Sequence, residues 1–167
     1  LSDLESDAAT LFKYSAKKTM DITQNLRDKH KAITYNRSDC RYLSEEHFKE
    51  APNLVPIVAQ KLNFIATFNF IEKSRCFNDK YVTALHGIIP TGAGNFEDFS
   101  EEEKNIYKLI AERYFIQFLE KVKVEKTEAK TEIEEIIFKK SSIRILEPGY
   151  TKYFKVLDDE DDENEGE

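Results

Sequence analysis

Apolar residues recur every three or four positions over the first thirty residues, which is the spacing of one face of an α-helix. A first helix is predicted from residue 2 to about residue 13, because Ser2 and Glu5 have the spacing of a capping box. A second helix is predicted from residue 16 to about residue 30, with Ser15 as its N-cap. Two short helices in succession indicate a helix-turn-helix-like unit.

The pattern of apolar positions is less regular in the middle of the chain. Residues 33–35 are β-branched or aromatic, so they predict a short extended segment at the domain surface. Ser44 begins another predicted helix, which Pro52 interrupts and which resumes over residues 53–63. The aromatic-rich residues 64–77 are predicted to be a mixture of loop and short helix.

A long amphipathic helix is predicted from the capping box of Ser100 and Glu103 to about residue 121. Its apolar face is rich in aromatic side chains, which indicates a buried core. After this helix the period of the apolar positions falls to about 2, so residues 122–157 are predicted to form strands at the edge of an adjoining β-rich domain. Residues 158–167 are acidic and poor in apolar side chains, and we expect a disordered tail or linker there.

The composition agrees with a mainly helical protein. Of the 167 residues, 40% are hydrophobic and 34% are charged, with only 5 Gly and 4 Pro, so long regular elements are favoured over turns. The predicted fold class is therefore α+β and mainly α, with a helical domain over residues 1–121 and a few strands after it. This length allows one sizeable core and excludes a complete multi-domain enzyme.

The net charge of −7 is concentrated at one end of the chain. Removing the eight acids of residues 158–167 leaves +1 for residues 1–157. Residues 13–43 carry eight bases against three acids, a distribution that suits contact with phosphate. The solvated face of a helix would account for the same charges, so charge alone does not choose between the two.

The sequence also limits the compartment. It contains no run of about 18 apolar residues that would span a membrane, and its first residues lack the features of a signal peptide. We therefore expect a cytoplasmic protein. Cys40 and Cys76 are isolated and lack the spacing of metal ligands, so they are predicted to be reduced thiols.

The most specific stretch of the sequence is Ala32-Ile33-Thr34-Tyr35-Asn36-Arg37-Ser38-Asp39-Cys40-Arg41-Tyr42-Leu43. It resembles the active-site signature of type IA DNA topoisomerases, and most closely that of the bacterial topoisomerase III branch. Other stretches match the family in the same order, namely Ser15-Ala16-Lys17-Lys18-Thr19 before the signature, then Ile88-Ile89-Pro90-Thr91 and residues 103–111 after it. The resemblance covers residues 1 to about 157.

The resemblance implies that Tyr35 attacks a phosphodiester of single-stranded DNA and forms a 5′-phosphotyrosine link that is later resealed. A phenol with a pKa of about 10 needs nearby positive charge or a base to act as a nucleophile at neutral pH. In an extended segment Arg37 projects on the same side as Tyr35, where its guanidinium would stabilise the charge on the phosphate. Asp39 continues this alternation and would orient Arg37 or a histidine, or cap a helix. The other residues expected to contact DNA are Lys17, Lys18 and Arg41.

The sequence departs from the family pattern in two respects. Leu85 stands where the family has a histidine beside the site, and His86 takes the neighbouring position, from which it is a candidate for a supporting role. The acids that bind Mg²⁺ in the family belong to a separate N-terminal domain, and no Asp-x-Asp motif in this chain matches them. We therefore expect no metal site here, and Mg²⁺ only in a longer parent protein.

Together these features predict the central fragment of a type IA topoisomerase, associated with the bacterial nucleoid. We expect it to be a monomer whose partners are single-stranded DNA and the missing metal-binding domain of the same parent. Alone it should bind single-stranded DNA weakly and should not relax supercoils. Two alternatives stay open: a non-catalytic nucleic-acid-binding relative, which Leu85 favours, and a helical protein-interaction module.

Overall fold

The computed structural model describes residues 1–121, 123–133 and 136–154. Its chain forms two compact units, Leu1–Leu119 and Glu120–Glu167, which are described separately. The first unit contains four α-helices, and the prediction of a mainly helical chain is confirmed. The acidic residues 158–167, for which a tail or linker was predicted, lie outside the described residues.

The two predicted N-terminal helices are present as α1, Ser2–Phe12, and α2, Ala16–Asp28, and they pack together. Helix α2 begins where the sequence predicts, because the Ser15 side chain accepts a hydrogen bond from the backbone N–H of Lys18 at 3.1 Å. The capping box predicted at Ser2 is wrong. Leu1 is the N-cap of α1, and Ser2 already lies inside the helix.

Helix α3 runs without a break over Glu45–Lys61 and contains both Pro52 and Pro56. The interruption predicted at Pro52 is therefore wrong. A proline inside a helix removes one backbone hydrogen bond, and that loss is smallest where water can replace it. Both prolines lie on the exposed side of α3. The opposite side is buried in the core through Ala51, Val55, Val58 and Ala59.

Helix α4, Glu101–Ile116, begins with the predicted capping box, in which the side chains of Ser100 and Glu103 each accept a hydrogen bond from the other residue's backbone. It ends five residues before the predicted residue 121. Its aromatic face is buried, as predicted: Tyr107 and Phe115 are among the least exposed side chains. Burial raises the pKa of Tyr107 to about 12.

Residues 62–76 contain no helix or strand, and only a short 3₁₀ turn follows at Asp79–Tyr81. Contacts between aromatic side chains pack this segment against the core. The Phe64 ring stacks on Phe115 with centroids 5.0 Å apart, and Phe77 lies 5.6 Å from Phe118. A second 3₁₀ turn, Phe96–Asp98, precedes α4.

In its described residues the second unit contains an antiparallel pair of strands, β1, Lys123–Ile133, and β2, Ile136–Glu147. A 3₁₀ turn, Gly149–Lys152, follows β2. This pair of strands does not confirm the finer prediction that residues 122–157 are strands of an adjoining β-rich domain. That assignment and the predicted domain boundaries stay predictions.

Candidate active site

The segment that carries Tyr35 is held to the body of the first unit by a short antiparallel pairing. Ile33 lies opposite Pro90, the backbone N–H of Thr34 donates to the carbonyl of Ile89 at 3.0 Å, and the N–H of Ile89 donates to Oγ1 of Thr34 at 3.1 Å. On the other side of this pair, the backbone N–H of Thr91 donates to the carbonyl of Ala32 at 3.0 Å, so Pro90 occupies a position where no N–H is required. The extended segment predicted at residues 33–35 forms only this isolated bridge.

Beyond the bridge, successive residues alternate between exposed and buried positions. Tyr35, Arg37 and Asp39 are exposed, whereas Asn36 and Ser38 are 0% and 1% exposed. This alternation has a period of two residues, although the backbone bends at Asn36 and Arg37. The three candidate side chains of the motif are all exposed to solvent, and their position on one shared side stays a prediction.

The two buried residues anchor the segment. The Asn36 side-chain amide donates to Oγ1 of Thr23 at 3.1 Å and to Oε1 of Gln24 at 3.4 Å, both on α2. The Ser38 hydroxyl donates to the carbonyl oxygen of His86 at 2.6 Å. Because a buried polar group is costly to leave unpaired, these bonds fix the position of the backbone between them.

Tyr35 is 41% exposed, and its hydroxyl has no hydrogen-bond partner among the described residues. Its ring is covered on one face by Arg27, from the last turn of α2, whose guanidinium carbon lies 4.7 Å from the ring centroid. A cation at this distance attracts the π-face of an aromatic ring. Sequence reasoning missed Arg27, because only the approach of the end of α2 to the segment brings it there.

Arg37 is exposed and has neither a hydrogen bond nor an ion pair with any residue that the structure describes. Its planar set of five N–H donors is therefore not engaged within this part of the chain. An arginine in this state is available for a phosphate, which it can bind with two parallel hydrogen bonds.

Asp39 caps a helix. Its Oδ1 accepts hydrogen bonds from the backbone N–H of Ser2 at 2.9 Å and from the Ser2 hydroxyl at 2.8 Å. These bonds lower the pKa of the Asp39 carboxyl. No described contact joins Asp39 to Arg37. The Asp39 carboxylate, which was predicted to orient Arg37 or a histidine or to cap a helix, caps the start of α1.

His86 is half-buried, and its Nδ1 lies 2.7 Å from the carbonyl oxygen of Gly87. Its ring packs on that of His47 from α3, with centroids 4.4 Å apart. No hydrogen bond between described residues connects His86 to Tyr35. Leu85, at the position of the family histidine, is 38% exposed.

The three bases predicted to contact DNA all have a carboxylate partner within the chain. Lys17 pairs with Asp21 at 2.9 Å, and this bond raises the lysine pKa. Lys18 pairs with Glu102. Arg41 pairs with Asp3 at 2.7 Å. All six side chains of these three ion pairs are at least 42% exposed, so the pairs are weak and can exchange for phosphate.

No group of three histidine, cysteine, aspartate or glutamate side chains in the described ranges is arranged to hold a metal ion. Among the same residues, no helix combines the length and apolar character needed to cross a membrane. Cys40 and Cys76 are both free thiols, as predicted, and burial raises the pKa of Cys76.

Comparison with known proteins matches the whole of this chain to one family. A family model described as DNA topoisomerase covers residues 1–167. The DNA topoisomerase 3 of Haemophilus influenzae is 44% identical over 122 residues, which are 71% of this chain and 19% of that protein. The DNA topoisomerase 3 of Bacillus cereus is 30% identical over 168 residues, 97% of this chain and 23% of that protein. The chain thus spans about a fifth of the length of these relatives. It belongs to the type IA DNA topoisomerase family, in which the bacterial DNA topoisomerase 3 proteins are its relatives.

Proposed function

We propose that this chain is the part of a type IA topoisomerase that supplies the nucleophile for transient cleavage of single-stranded DNA. The observation that carries the proposal is that Tyr35 and Arg37 are both exposed, on either side of Asn36, which is buried and anchored to α2. Neither the Tyr35 hydroxyl nor the Arg37 guanidinium is engaged with another described residue, so both are available to a phosphodiester.

In the proposed step the Tyr35 oxygen forms a bond to phosphorus while the bond from phosphorus to the 3′ oxygen breaks. The phenol loses its proton, the departing 3′ oxygen gains one, and the DNA is left joined to Tyr35 through its 5′ phosphate. Religation is the reverse reaction, so the energy of the broken bond is kept in the new one. Arg37 stabilises the negative charge that grows on the non-bridging oxygens during both reactions.

The residues described here do not form a site for Mg²⁺, and no step is assigned to that ion. Its binding would require carboxylates from outside the described residues, and we propose that they lie in another part of the parent protein, since the chain spans 19% of a related protein. The proposed partners are therefore single-stranded DNA and a metal-binding domain of the parent protein. Work on DNA in a bacterium would place the parent in the cytoplasm, at the nucleoid.

The proposal is tested in the parent protein by incubating it with end-labelled single-stranded DNA and Mg²⁺ and then denaturing it to trap covalent complexes. We expect Tyr35→Phe to abolish the covalent complex, because phenylalanine has no oxygen to bond to phosphorus. Arg37→Ala should lower the cleavage rate on the order of 10²-fold to 10³-fold. Arg37→Lys should recover only part of this loss, since lysine lacks the planar fork.

Tyr153→Phe is the matched control, because Tyr153 is 40% exposed and Tyr35 is 41% exposed. It should leave the amount of trapped DNA unchanged. A covalent product that survives Tyr35→Phe would overturn the assignment of the nucleophile. If the unaltered parent binds DNA but never forms a covalent product, the chain is a non-catalytic relative, and Leu85 is the first residue to replace with histidine.

A further inference from the structure

A cleft that Tyr35 does not line opens on the first unit. Its volume is about 370 Å³, and it lies where the end of the signature segment meets the loop before the first 3₁₀ turn. No aspartate or glutamate is among its lining residues. The residues that give it chemical character are Arg41, Tyr42, Ser74, Arg75, Asn78 and Tyr81.

Two tyrosines form an aromatic wall of this cleft. The rings of Tyr42 and Tyr81 lie 4.6 Å apart with an angle of 32° between their planes. Tyr81 is 51% exposed, although a large aromatic side chain gains free energy when it is buried. Lys80 Nζ lies 5.8 Å from the centre of the same ring. The wall therefore offers an exposed π-surface next to positive charge.

Two arginines supply positive charge to the cleft. Arg75 is exposed and forms no ion pair with any described residue. Arg41 pairs with Asp3, but both side chains are more than half exposed, so an incoming anion can compete with the carboxylate. The nearby acid Asp79 is already bound to the backbone N–H of Glu45 at 2.9 Å.

The frame of the cleft is fixed by hydrogen bonds. The Ser74 hydroxyl donates to Oε1 of Gln117 at 2.7 Å, and the backbone N–H of Asn78 donates to the carbonyl of Leu43 at 2.8 Å. The Asn78 side chain also accepts from the backbone N–H of Lys80 at 3.1 Å. These bonds hold the aromatic and basic side chains on an ordered backbone, which lowers the entropy lost on binding.

We propose that this cleft binds single-stranded nucleic acid, as a second contact apart from the cleavage site. Arg41 and Arg75 bind backbone phosphates, and an unpaired base stacks on Tyr81. Exposed aromatic rings beside cations are the features that bind single strands without sequence preference. A duplex does not fit this chemistry, because its bases are already stacked and paired. The choice of DNA as the nucleic acid rests on the proposed function; the cleft's binding of a single strand does not.

The test uses the full 167-residue chain and a 5′-labelled oligothymidine, with binding followed by fluorescence anisotropy at low salt. We expect Tyr81→Ala to weaken binding about tenfold, within the range for loss of one base–aromatic stack. Tyr81→Phe should bind like the unaltered chain. Arg75→Ala should weaken binding and reduce the slope of log affinity against log salt by about 0.7.

Arg113→Ala is the matched control, since Arg113 is an exposed arginine on α4 that pairs with Asp7 and does not line the cleft. Circular dichroism checks that each variant is folded. If Tyr81→Ala and Arg75→Ala bind as tightly as Arg113→Ala, the proposal is wrong. It is also wrong if a polyglutamate peptide competes as well as unlabelled oligothymidine, because the cleft would then be a site for any polyanion.

A crosslinking experiment locates the bound base directly. An oligonucleotide with 5-iodouracil is irradiated with the chain, and the attached residue is identified by mass spectrometry. We expect attachment at Tyr81 or Tyr42, and it should persist in Tyr35→Phe. Attachment only near Tyr35 would overturn the second contact while leaving the proposed function intact. Attachment at Tyr81 combined with no covalent cleavage in the parent would overturn the proposed function and leave the second contact intact.

Discussion

Arg27 covers the ring of Tyr35, with its guanidinium carbon 4.7 Å from the ring centroid. A guanidinium at this distance is attracted to the face of the ring and favours the ring orientation that keeps the contact. On the proposed function Arg27 is thus a positioning residue for the nucleophile.

We expect Arg27→Met in the parent protein to lower the single-turnover cleavage rate about two- to fivefold, in line with a cation–π interaction at an exposed site. Arg27→Lys should retain most of the rate, because it keeps a cation near the ring. An Arg27→Met rate equal to that of the unaltered parent would show that this contact does not position Tyr35.

The surface position of the segment around Tyr35 was predictable at the scale of single residues, because it follows from a few consecutive residue types. That Tyr35 and Arg37 share one side stays a prediction from the two-residue period of an extended chain. The contacts of Arg27 and Asp39 are different, because each joins positions distant in sequence. Asp39 reaches Ser2 across 37 residues, and no spacing rule predicts such a pair.

At the scale of elements, helix starts were predictable and helix interiors less so. Ser15, Ser44 and Ser100 each cap a helix as predicted, because a cap depends only on a few consecutive residues. The continuity of α3 through Pro52 depends on which of its sides faces water, which only packing decides. Ser2 was mistaken for a cap because the true partner, Asp39, comes from another segment.

The start of α3 makes a prediction about pH. His47 replaces the usual glutamate of a capping box, and its Nδ1 accepts a hydrogen bond from the backbone N–H of Ser44 at 3.0 Å. Burial and then the charge of His86 lower the His47 pKa below 6.5, while Glu50, Asp79 and Glu46 oppose this shift. The unfolded chain therefore binds a proton more readily than the folded chain, and stability present above pH 6.5 is lost as the pH falls below it.

We expect His47→Gln to reduce this loss of stability, because glutamine can accept the same hydrogen bond but does not titrate near neutral pH. The measurement is the midpoint of thermal unfolding at pH 7.5 and at pH 5.5 for both proteins. Between pH 7.5 and pH 5.5, the melting temperature of the unaltered chain should fall further than that of the variant. An equal loss in both would show that protonation of His47 has no part in the acid sensitivity.

At the scale of the whole molecule, the proposed function divides the requirements for cleavage between this chain and the rest of its parent. The chain would carry the nucleophile and its charge partner, and no group of three potential metal ligands is found in the described residues. We expect the isolated chain to bind labelled single-stranded DNA in a salt-dependent way and to leave it uncut, with or without Mg²⁺. The longer parent should cut the same strand under the same conditions. Cleavage by the isolated chain, measured on a denaturing gel, would contradict the proposal that the metal-binding group lies elsewhere in the parent.

The anchoring of the signature segment also constrains how a cut strand could be moved. Asn36 is bonded to α2, Ser38 to the backbone of His86, and Asp39 to the first turn of α1, so the residues around Tyr35 are tied to three separate parts of the first unit. A DNA end attached to Tyr35 therefore cannot swing on a flexible tether. On the proposed function it would travel with the helical unit as one rigid piece, and the joint that opens the break would have to lie outside residues 1–119.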